Sequence, residues 1–369
     1  MSLGILHTEA SCGWGGQEIR ILTEMQVMQS RGYRVHLVTP AHSRIHAAAR
    51  ARELPVSSAP IEFRRPAGLV ALLAWLRTHG RSFDVINTHS SADSWLAASA
   101  RTLLPRLPPI VRTRHVSTRV NRSRSTRWLY QRATSHIVVT GEALKRQLIE
   151  QNGFDGSRIT SVRTGIDLQR FRPMDCAAAR ASLGVDERPA IAIVATLRDW
   201  KGHDDILDVW PELVRRAPGW QLLIVGDGPR RAHLEARVRD AHLDADVRFT
   251  GNREDVECWF ACADVVTLPS WGEEGVPQSL MQAAACARVA VASDAGASAE
   301  ALVHERTGFV VPAHDHALLT EQLAQLMASP TLRREMGDAA RAHAEANFSI
   351  ERMADGMEAV FRSVVAGAR

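Results

Sequence analysis

Two cations lie three residues apart, directly after a predicted strand in the second half of the chain. Residues 190–196 are apolar and β-branched, and Arg198 and Lys201 follow on a loop that leads into a predicted helix. An arginine can hold phosphate oxygens as a fork, and a lysine can act as a point charge. The spacing therefore predicts a diphosphate site, although a solvated surface pair would have the same sequence.

A second segment that could do chemistry is residues 270–280, which follow the predicted strand 265–269. Gly275 frees the backbone, and Pro277 suits the first turn of the next helix, so N–H groups point outward at a helix N-terminus. Glu273 and Glu274 would be stabilised there by the helix dipole, as they would be in a simple surface cap. Because carboxylates beside a sugar accept from its hydroxyls, we expect Glu274 to contact a sugar.

A glycine-rich turn, residues 11–18, lies between the first predicted strand, 3–8, and a predicted helix, 17–30. Gly15 and Gly16 would let backbone N–H groups approach a phosphate at the positive end of the helix dipole. A simple tight turn would have the same glycines. The segment is neither the Gly-x-Gly-x-x-Gly of a dinucleotide site nor a Walker loop.

The first half of the chain is strongly basic. Residues 1–170 contain 24 Lys and Arg against 11 Asp and Glu, whereas residues 171–369 contain 21 against 30. Such a one-sign field favours an anionic partner, and nucleic acid, an anionic membrane surface and a phosphorylated substrate all qualify. The basic residues are densest in the segment 112–124, which holds Arg112, Arg114, Arg119, Arg122 and Arg124.

This basic segment is predicted to form a surface for anionic lipid or for a phosphorylated acceptor. Arg112 and Arg114 alternate on one face of a strand, so His115 points to the other face. A solvated charged face without any ligand is the alternative. Specific nucleic-acid binding is disfavoured, since few aromatic residues interleave with the arginines and no recognised module surrounds them.

Two pairs of metal-ligand residue types occur, and neither predicts a metal site. Cys258 and Cys262 are four residues apart on a predicted helix, and His314 and His316 flank Asp315. Structural zinc needs about four ligands, and no second pair accompanies either of these in the sequence. The chain also lacks a Gly-x-Ser-x-Gly nucleophile elbow. We therefore expect no bound metal.

The elements that position these residues are short apolar runs alternating with longer amphipathic ones, which is typical of parallel sheets flanked by helices. A chain of 369 residues exceeds what one hydrophobic core usually serves. We predict an α/β protein with one doubly wound domain over 1–171, a second over 172–349, and a C-terminal helix, 350–369, that packs on the first. Ligands of such sheets bind beyond the carboxyl ends of the strands, so we expect the site where the two halves face each other.

The remaining strand predictions are 34–39, 84–89, 110–115, 135–140 and 159–163 in the first half, and 220–226, 247–250 and 289–293 in the second. No run reaches the ~20 apolar residues of a membrane helix. The N-terminus lacks the features of a secretory signal, and five scattered cysteines indicate a reducing compartment. We therefore expect a cytoplasmic location.

Taken in order, these motifs resemble those of the retaining GT-B glycosyltransferases of group 1, also called family four. The resemblance spans most of the chain and is densest after residue 160. It rests on Gly15 and Gly16, residues 162–167 with Phe171 and Pro173, Arg198 and Lys201, residues 225–229, 249–251 and 263–264, Pro269, Ser270, Glu274 and Gly275, residues 294–296 with Glu300, and residues 307–312.

The resemblance implies two Rossmann-like domains and a nucleotide-sugar donor, usually UDP- or GDP-linked, that binds to the C-terminal domain as a substrate without a required metal or other cofactor. Arg198 and Lys201 would hold the donor diphosphate. Gly15 and Gly16 would approach it from the other domain, Glu274 would contact the transferred sugar, and His115 would lie near the anomeric centre. The further donor contacts are Gly275, Val276, Pro277, Gln278, Ser279, Gln282, Gly251 and Arg253.

One position departs from the family pattern. Members usually carry a second Glu after seven intervening residues, and counted from Glu274 that position is Gln282. In relatives the second Glu contacts the nucleotide ribose, where a Gln amide can still hydrogen-bond but carries no charge. We expect donor affinity or nucleotide choice to be affected more than catalysis.

The resemblance further implies retention of configuration. Our leading hypothesis is transfer of a hexose-type sugar to a cell-envelope glycan or lipid-linked acceptor, and the basic first half of the chain favours a location at the inner face of the cell membrane. No residue is an obvious covalent nucleophile, which favours front-face transfer in which the departing phosphate oxygen takes the acceptor's proton. Two alternatives stay open. One is a nucleotide-sugar-binding protein without turnover, suggested by Gln282, and the other is a nucleotide-sugar epimerase on the same architecture.

Overall fold

The computed structural model describes residues 2–116, 118–272 and 274–368. Ser117, in the basic segment, and Glu273, in the segment 270–280, lie outside the described residues. The chain forms two compact units. Unit 1 comprises the chain up to Gly165 together with the segment that begins at Ile350, and unit 2 comprises Ile166–Ser349.

Each unit contains one parallel sheet. The order of strands is β3-β2-β1-β4-β5-β6-β7 in unit 1 and β10-β9-β8-β11-β12-β13 in unit 2. The strands are β1 (Gly4–Thr8), β2 (Arg34–Thr39), β3 (Val56–Ser58), β4 (Val85–Thr88), β5 (Ile110–Arg114), β6 (His136–Val139), β7 (Ile159–Ser161), β8 (Ala190–Val194), β9 (Gln221–Val225), β10 (Val247–Gly251), β11 (Val265–Leu268), β12 (Val289–Ser293) and β13 (Gly308–Val311).

Helices connect the strands and cover the sheets. They are α1 (Gly16–Ser30), α2 (Arg44–Ala51), α3 (Pro66–His79), α4 (Ser91–Leu103), α5 (Arg124–Trp128), α6 (Glu142–Glu150), α7 (Cys176–Leu183), α8 (His203–Arg216), α9 (Arg231–Asp240), α10 (Val256–Cys262), α11 (Gln278–Ala285), α12 (His316–Ala328), α13 (Pro330–Asn347) and α14 (Ile350–Ala368). None of the helices in the described part of the chain is long and apolar enough to cross a bilayer.

The central strands are buried on both faces, which is why their sequences are continuously apolar rather than alternating. β1 and β9, for example, are buried along their whole lengths. In unit 1 two clusters of buried side chains form the core. One includes Leu72 and Leu96 from α3 and α4, and the other joins Met25 of α1 to Phe361 of α14. The C-terminal helix therefore belongs to the core of unit 1.

Two details differ from the sequence predictions. The predicted boundary after residue 171 lies inside unit 2, because Ile166 donates a backbone hydrogen bond to Phe348 (2.6 Å) and the Phe171 ring contacts that of Phe260. Strands β3 and β13 were not predicted. β3 has only three residues and none of them is fully buried, so it carries little of the apolar signal by which strands are recognised.

Candidate functional site

The sheet of unit 2 has one topological switch point, between β8 and β11. The chain leaves β8 toward β9 on one side, while β11 pairs with β8 on the other side. The loops that follow these two strands therefore diverge at their carboxyl ends and leave a crevice, which is where open α/β sheets bind ligands. Arg198 and Lys201 lie on the first of these loops, and Glu274 lies on the second.

Hydrogen bonds join the two switch-point loops directly. The Trp200 carbonyl accepts from the Trp271 backbone N–H at 2.9 Å, and the Ser270 hydroxyl oxygen lies 2.6 Å from the same carbonyl. Gly202 permits this approach. Its φ is +77°, and a Cβ there would lie 2.2 Å from the Pro269 carbonyl oxygen. Only glycine tolerates both conditions.

The predicted diphosphate and sugar residues contact each other. Lys201 Nζ lies 2.7 Å from Glu274 Oε1, and the side chains are 19% and 12% exposed. The Ser270 hydroxyl lies 2.8 Å from the same carboxylate oxygen. The structure thus brings Lys201 and Glu274 together across the switch point and holds the carboxylate with a charged donor and a neutral one.

The backbone of Glu274 is fixed from both sides. Its N–H donates to the Gly272 carbonyl at 2.9 Å, and its carbonyl accepts from the Ala297 N–H at 3.0 Å. Gly296 packs against this backbone at φ +58°, and a Cβ there would lie 2.4 Å from the Glu274 carbonyl oxygen. These contacts orient the Glu274 side chain toward the loop that carries Lys201.

Arg198 is the exposed cation of the site. Its guanidinium lies over the Trp200 ring, 5.3 Å from the ring centroid, in a cation–π contact. Across residues 2–116, 118–272 and 274–368 it forms no ion pair with a carboxylate. Arg198 is exposed and lies on the same loop as Lys201, so its guanidinium is accessible to an anion.

Helix α11 begins one residue later than the sequence predicted. Pro277 is the N-cap residue rather than a member of the first turn, and α11 starts at Gln278. Val276 and Pro277 are buried, whereas Gly275, Gln278, Ser279 and Gln282 are half-buried. No acidic residue occupies the first turn of α11. Gln282 follows Gln278 by one helical turn on the same face.

The predicted base contacts are engaged within unit 2. Arg253 donates to both carboxylate oxygens of Asp255, at 2.9 and 2.7 Å, and lies over the Trp259 ring. The Gly251 carbonyl accepts from the Gly226 N–H at 2.9 Å, which ties the end of β10 to the loop after β9. The structure does not bring Arg253 into contact with Arg198, Lys201 or Glu274.

Unit 1 has its own switch point, between β1 and β4, and the glycine-rich turn follows β1 there. Glu9 is buried at the start of this turn and accepts from the Ser11 N–H at 2.6 Å and the Gln17 amide at 2.5 Å. Burial, with a smaller contribution from the Asp93 charge, raises the pKa of Glu9 to about 8. Gly15 has extended backbone, φ −175°, and a Cβ there would meet nothing nearer than 3.8 Å.

His115 ends a chain of three histidines. His115 Nε2 lies 3.0 Å from His89 Nδ1, and His89 Nε2 lies 3.0 Å from His7 Nδ1. Burial lowers the pKa of His7 to about 3 and holds the pKa values of His89 and His115 well below the ordinary value, so all three rings are neutral near pH 7. Each neutral ring has one donor and one acceptor, so the N–H groups must point the same way along the chain.

The predicted basic surface is wrong for two of its five arginines. Arg112 and Arg114 lie on β5, between β4 and β6, and are only 4% and 9% exposed. Arg112 stacks on the Tyr130 ring, and Arg114 donates to the Tyr130 hydroxyl at 3.1 Å. A strand covered on both faces buries both sets of alternating side chains, so alternation alone could not place them at the surface. The remaining three, Arg119, Arg122 and Arg124, are exposed.

Several site residues escaped the sequence prediction. Ser270, beside Glu274, was treated only as part of a motif. His7 and His89 are the partners of His115. His89 directly follows β4, so the rule that ligands bind beyond the carboxyl ends of strands would have found it. The contact between Ser270 and Trp200 depends on tertiary pairing and leaves no local signal.

Both halves of the chain match known family models. Residues 188–329 match the model described as Glycosyl transferases group 1, and residues 14–170 match that of Glycosyltransferase Family 4. The chain is 30% identical over 246 residues to the lipopolysaccharide core biosynthesis mannosyltransferase LpcC of Rhizobium leguminosarum bv. viciae. The matched region covers 65% of this chain and 67% of that protein.

A second curated relative is a GDP-mannose-dependent monoacylated alpha-(1-6)-phosphatidylinositol monomannoside mannosyltransferase of Corynebacterium glutamicum. It is 33% identical over 212 residues, which is 54% of this chain and 55% of that protein, so the chain spans about half the length of this relative. The solved structure of Anabaena HepE in complex with UDP and glucose has a TM-score of 0.85 at 19% identity and covers 98% of this chain and 100% of that one. This likeness in fold, together with the two doubly wound sheets, confirms the predicted fold class.

Proposed function

Since the chain belongs to the group 1 glycosyl transferases, with a family 4 domain in its first half, we propose that it transfers a hexose-type sugar from a UDP- or GDP-linked donor to a cell-envelope glycan or lipid-linked acceptor. The observation that carries this proposal is the switch point of unit 2. An exposed arginine, Arg198, lies there beside the Lys201–Glu274 pair, so a diphosphate and a sugar hydroxyl each have a partner of matching chemistry.

The proposed chemistry breaks the bond between the anomeric carbon and the donor phosphate oxygen and forms a bond from that carbon to an acceptor hydroxyl oxygen. The leaving diphosphate gains negative charge in this step, so preorganised cations aimed at it lower the barrier. Lys201 has three N–H donors, so it can hold Glu274 and a phosphate oxygen at once. Arg198 supplies a second, planar donor set.

Retention of configuration is part of the proposal. One oxygen of Glu274 already accepts from both Lys201 and Ser270, which suits a carboxylate that binds sugar hydroxyls better than one that attacks the anomeric carbon. We therefore favour front-face transfer, in which the departing phosphate oxygen takes the proton of the acceptor hydroxyl. His115, neutral and held by His89, would act as a hydrogen-bonding group rather than as a charge.

The proposed acceptor is lipid-linked, and a surface of unit 1 supports this part. Phe63 is 55% exposed and Trp128 is 36% exposed. Trp95 lies between these two residues. Its ring contacts the Trp128 ring, and the guanidinium of Arg64, the residue after Phe63, lies over the Trp95 ring. We define this surface as the aromatic–arginine patch, composed of Phe63, Arg64, Arg65, Arg124, Arg127 and Trp128. Exposed arginines beside exposed aromatic rings suit an anionic lipid surface.

Vesicle binding tests the membrane part. At low salt the protein should sediment with vesicles of phosphatidylcholine containing phosphatidylglycerol and not with phosphatidylcholine alone. Replacing Arg64, Arg65 and Arg124 by Glu should weaken binding strongly, since each arginine near an anionic surface contributes ~1 kcal/mol. The matched control is Arg50→Glu, an exposed arginine on α2. Equal binding by all three proteins, or none by the wild type, would overturn this part.

A panel of UDP- and GDP-sugars tests the transferase itself. Wild-type protein should release a nucleoside diphosphate, UDP or GDP, from one donor. The release should be faster when a lipid-linked acceptor is present. Arg198→Ala should lose most of this turnover, whereas Arg215→Ala, an exposed arginine of α8 paired with Glu212, should keep it. Isomerised donor formed without an acceptor would instead show an epimerase, and donor binding without any turnover would show a binding protein.

A further inference from the structure

Three side chains of unit 2 with metal-ligand chemistry converge outside the proposed donor site. Asp205, in the first turn of α8, places Oδ1 2.9 Å from His314 Nδ1 and 3.0 Å from His316 Nε2. His314 lies in the segment that joins β13 to α12, and His316 is the first residue of α12. All three ligand atoms lie within 4.8 Å of one another. The pair His314 and His316, dismissed on sequence for want of a further ligand, therefore has one.

The arrangement is held in place from several directions. The Asp205 side chain is only 6% exposed, so its carboxylate is fixed by the body of unit 2, while the His314 and His316 side chains are 58% and 43% exposed. His314 has φ +63°, a left-handed conformation that non-glycine residues adopt at a cost of ~1–3 kcal/mol. This conformation directs its ring to the same oxygen that His316 uses.

We propose that Asp205, His314 and His316 bind a divalent transition-metal ion of the zinc type. A set of two imidazole nitrogens and one carboxylate oxygen suits Zn²⁺, whereas Mg²⁺ and Ca²⁺ favour oxygen ligands. Bond lengths of ~2.0–2.1 Å in a tetrahedral site put ligand atoms ~3.3 Å apart. The observed 2.9 and 3.0 Å from Asp205 to the two histidines are close to this separation, and the exposed histidine side chains can adjust to complete the site.

The proton balance of binding is simple. An ionised Asp205 carboxylate can only accept hydrogen bonds, so His314 Nδ1 and His316 Nε2, which face it, each carry a hydrogen. When the ion binds a neutral ring, that proton moves to the other ring nitrogen through solvent, and a protonated ring releases one proton. The fourth position faces water, because the two histidines lie at the surface. No change of oxidation state is required.

With three protein ligands and water in the fourth position, the site differs from a closed four-ligand structural zinc site, and the ion would act by linking loops of unit 2. The His314 ring contacts the Trp271 ring, with centroids 5.5 Å apart, and the backbone N–H of Trp271 donates to the Trp200 carbonyl. A bound ion would therefore link the N-termini of α8 and α12 to the loop that carries Glu274. The three ligands differ from the residues proposed to hold the diphosphate and the sugar, so donor chemistry does not pass through the ion.

Calorimetric titration of the tag-free 369-residue protein with Zn²⁺ tests the proposal. Co²⁺ added in a parallel experiment reports the coordination geometry through its visible absorption. We expect one saturable site and a tetrahedral Co²⁺ spectrum. His314→Gln should weaken binding by more than tenfold, since even outer-shell changes cost ~10–100-fold. This residue is exposed, so folding should be unaffected, which circular dichroism checks. Asp205→Asn should have the same effect.

A matched control uses a different exposed pair of residues with metal-ligand chemistry. Cys12 Sγ lies 3.3 Å from His42 Nε2 in unit 1, so Cys12→Ser should leave Zn²⁺ binding unchanged. Hydrogen exchange supplies a readout that is independent of activity, and Zn²⁺ should slow exchange of residues 269–276 in the wild type only. The absence of saturable binding, or binding that His314→Gln leaves intact, would overturn the proposal and indicate a hydrogen-bonded cluster that stabilises the fold alone.

Discussion

Replacing Lys201 by Met tests the ion pair at the switch point, because Met keeps much of the side-chain volume and removes the charge. At 2.7 Å and an effective dielectric constant of ~20, the gross attraction between Lys201 and Glu274 is ~6 kcal/mol. Desolvation of the two ions offsets most of this attraction. With side chains 19% and 12% exposed, we expect Lys201→Met to lower the free energy of unfolding by ~1–3 kcal/mol.

A double-mutant cycle isolates this pair. Urea unfolding of the wild type, Lys201→Met, Glu274→Gln and the double variant, followed by tryptophan fluorescence, should give a coupling energy of ~1–3 kcal/mol. Trp200 and Trp271 lie on the two loops that the pair connects, so they report its environment. A coupling energy near zero would refute the reasoning, since it would mean that the two charges behave as a solvated surface pair.

Turnover of the same variant tests the catalytic role separately. Loss of one preorganised donor facing a developing charge lowers kcat by ~10²–10³, so Lys201→Met should lose at least that much activity toward its donor at temperatures where it is folded. Full activity in a destabilised variant would show that Lys201 acts only as a structural partner of Glu274.

Gly15→Ala should leave the free energy of unfolding within ~0.5 kcal/mol of the wild type, since neither the φ angle of Gly15 nor its neighbouring atoms require glycine there. The same variant should lower donor turnover if a phosphate approaches this backbone. Unchanged turnover would mean that residues 11–18 form a simple turn. Glu9→Gln should remove one contribution to the pH dependence of stability, so the free energy of unfolding of the wild type should fall relative to that of the variant between pH 5 and 8. The folded-state pKa of Glu9, about 8, lies above its unfolded value of 4.5, so stability declines as pH rises through this window; equal pH slopes in thermal unfolding would contradict this. Gln282→Glu should change nucleotide affinity with little change in kcat, and a gain of turnover from none would favour the binding-protein alternative.

The sequence predicted most of the architecture, because buried parallel strands have continuous apolar runs that are easily recognised. It also predicted that Arg198, Lys201 and Glu274 follow strands, and the structure places those strands, β8 and β11, at the switch point of unit 2. The contact between Lys201 and Glu274, residues 73 positions apart, depends on the pairing of β8 with β11, which no local pattern encodes.

Burial of polar groups was the main source of error. Arg112 and Arg114 look like two of the five arginines of a basic surface in the sequence, but β5 lies inside the sheet and Tyr130 supplies their partner. Likewise, the contact of His314 and His316 with Asp205, more than a hundred positions away, depends on the packing of α12 on α8 and could not be read from their spacing. Long-range partners of charged residues are invisible to spacing arguments.

Nucleotide binding by Arg198→Ala tests the central claim most directly, namely that the switch-point loops of unit 2 hold the diphosphate of the donor. Arg198 is exposed and outside the core, so its loss should not disturb the fold. Calorimetric titration with UDP and GDP should show saturable binding of one of them to the wild type, weakened by ~10–100-fold in the variant, since a charge-assisted hydrogen bond contributes ~1.5–3 kcal/mol. Equal affinity in both proteins, or no binding of either nucleotide to the wild type, would contradict the claim.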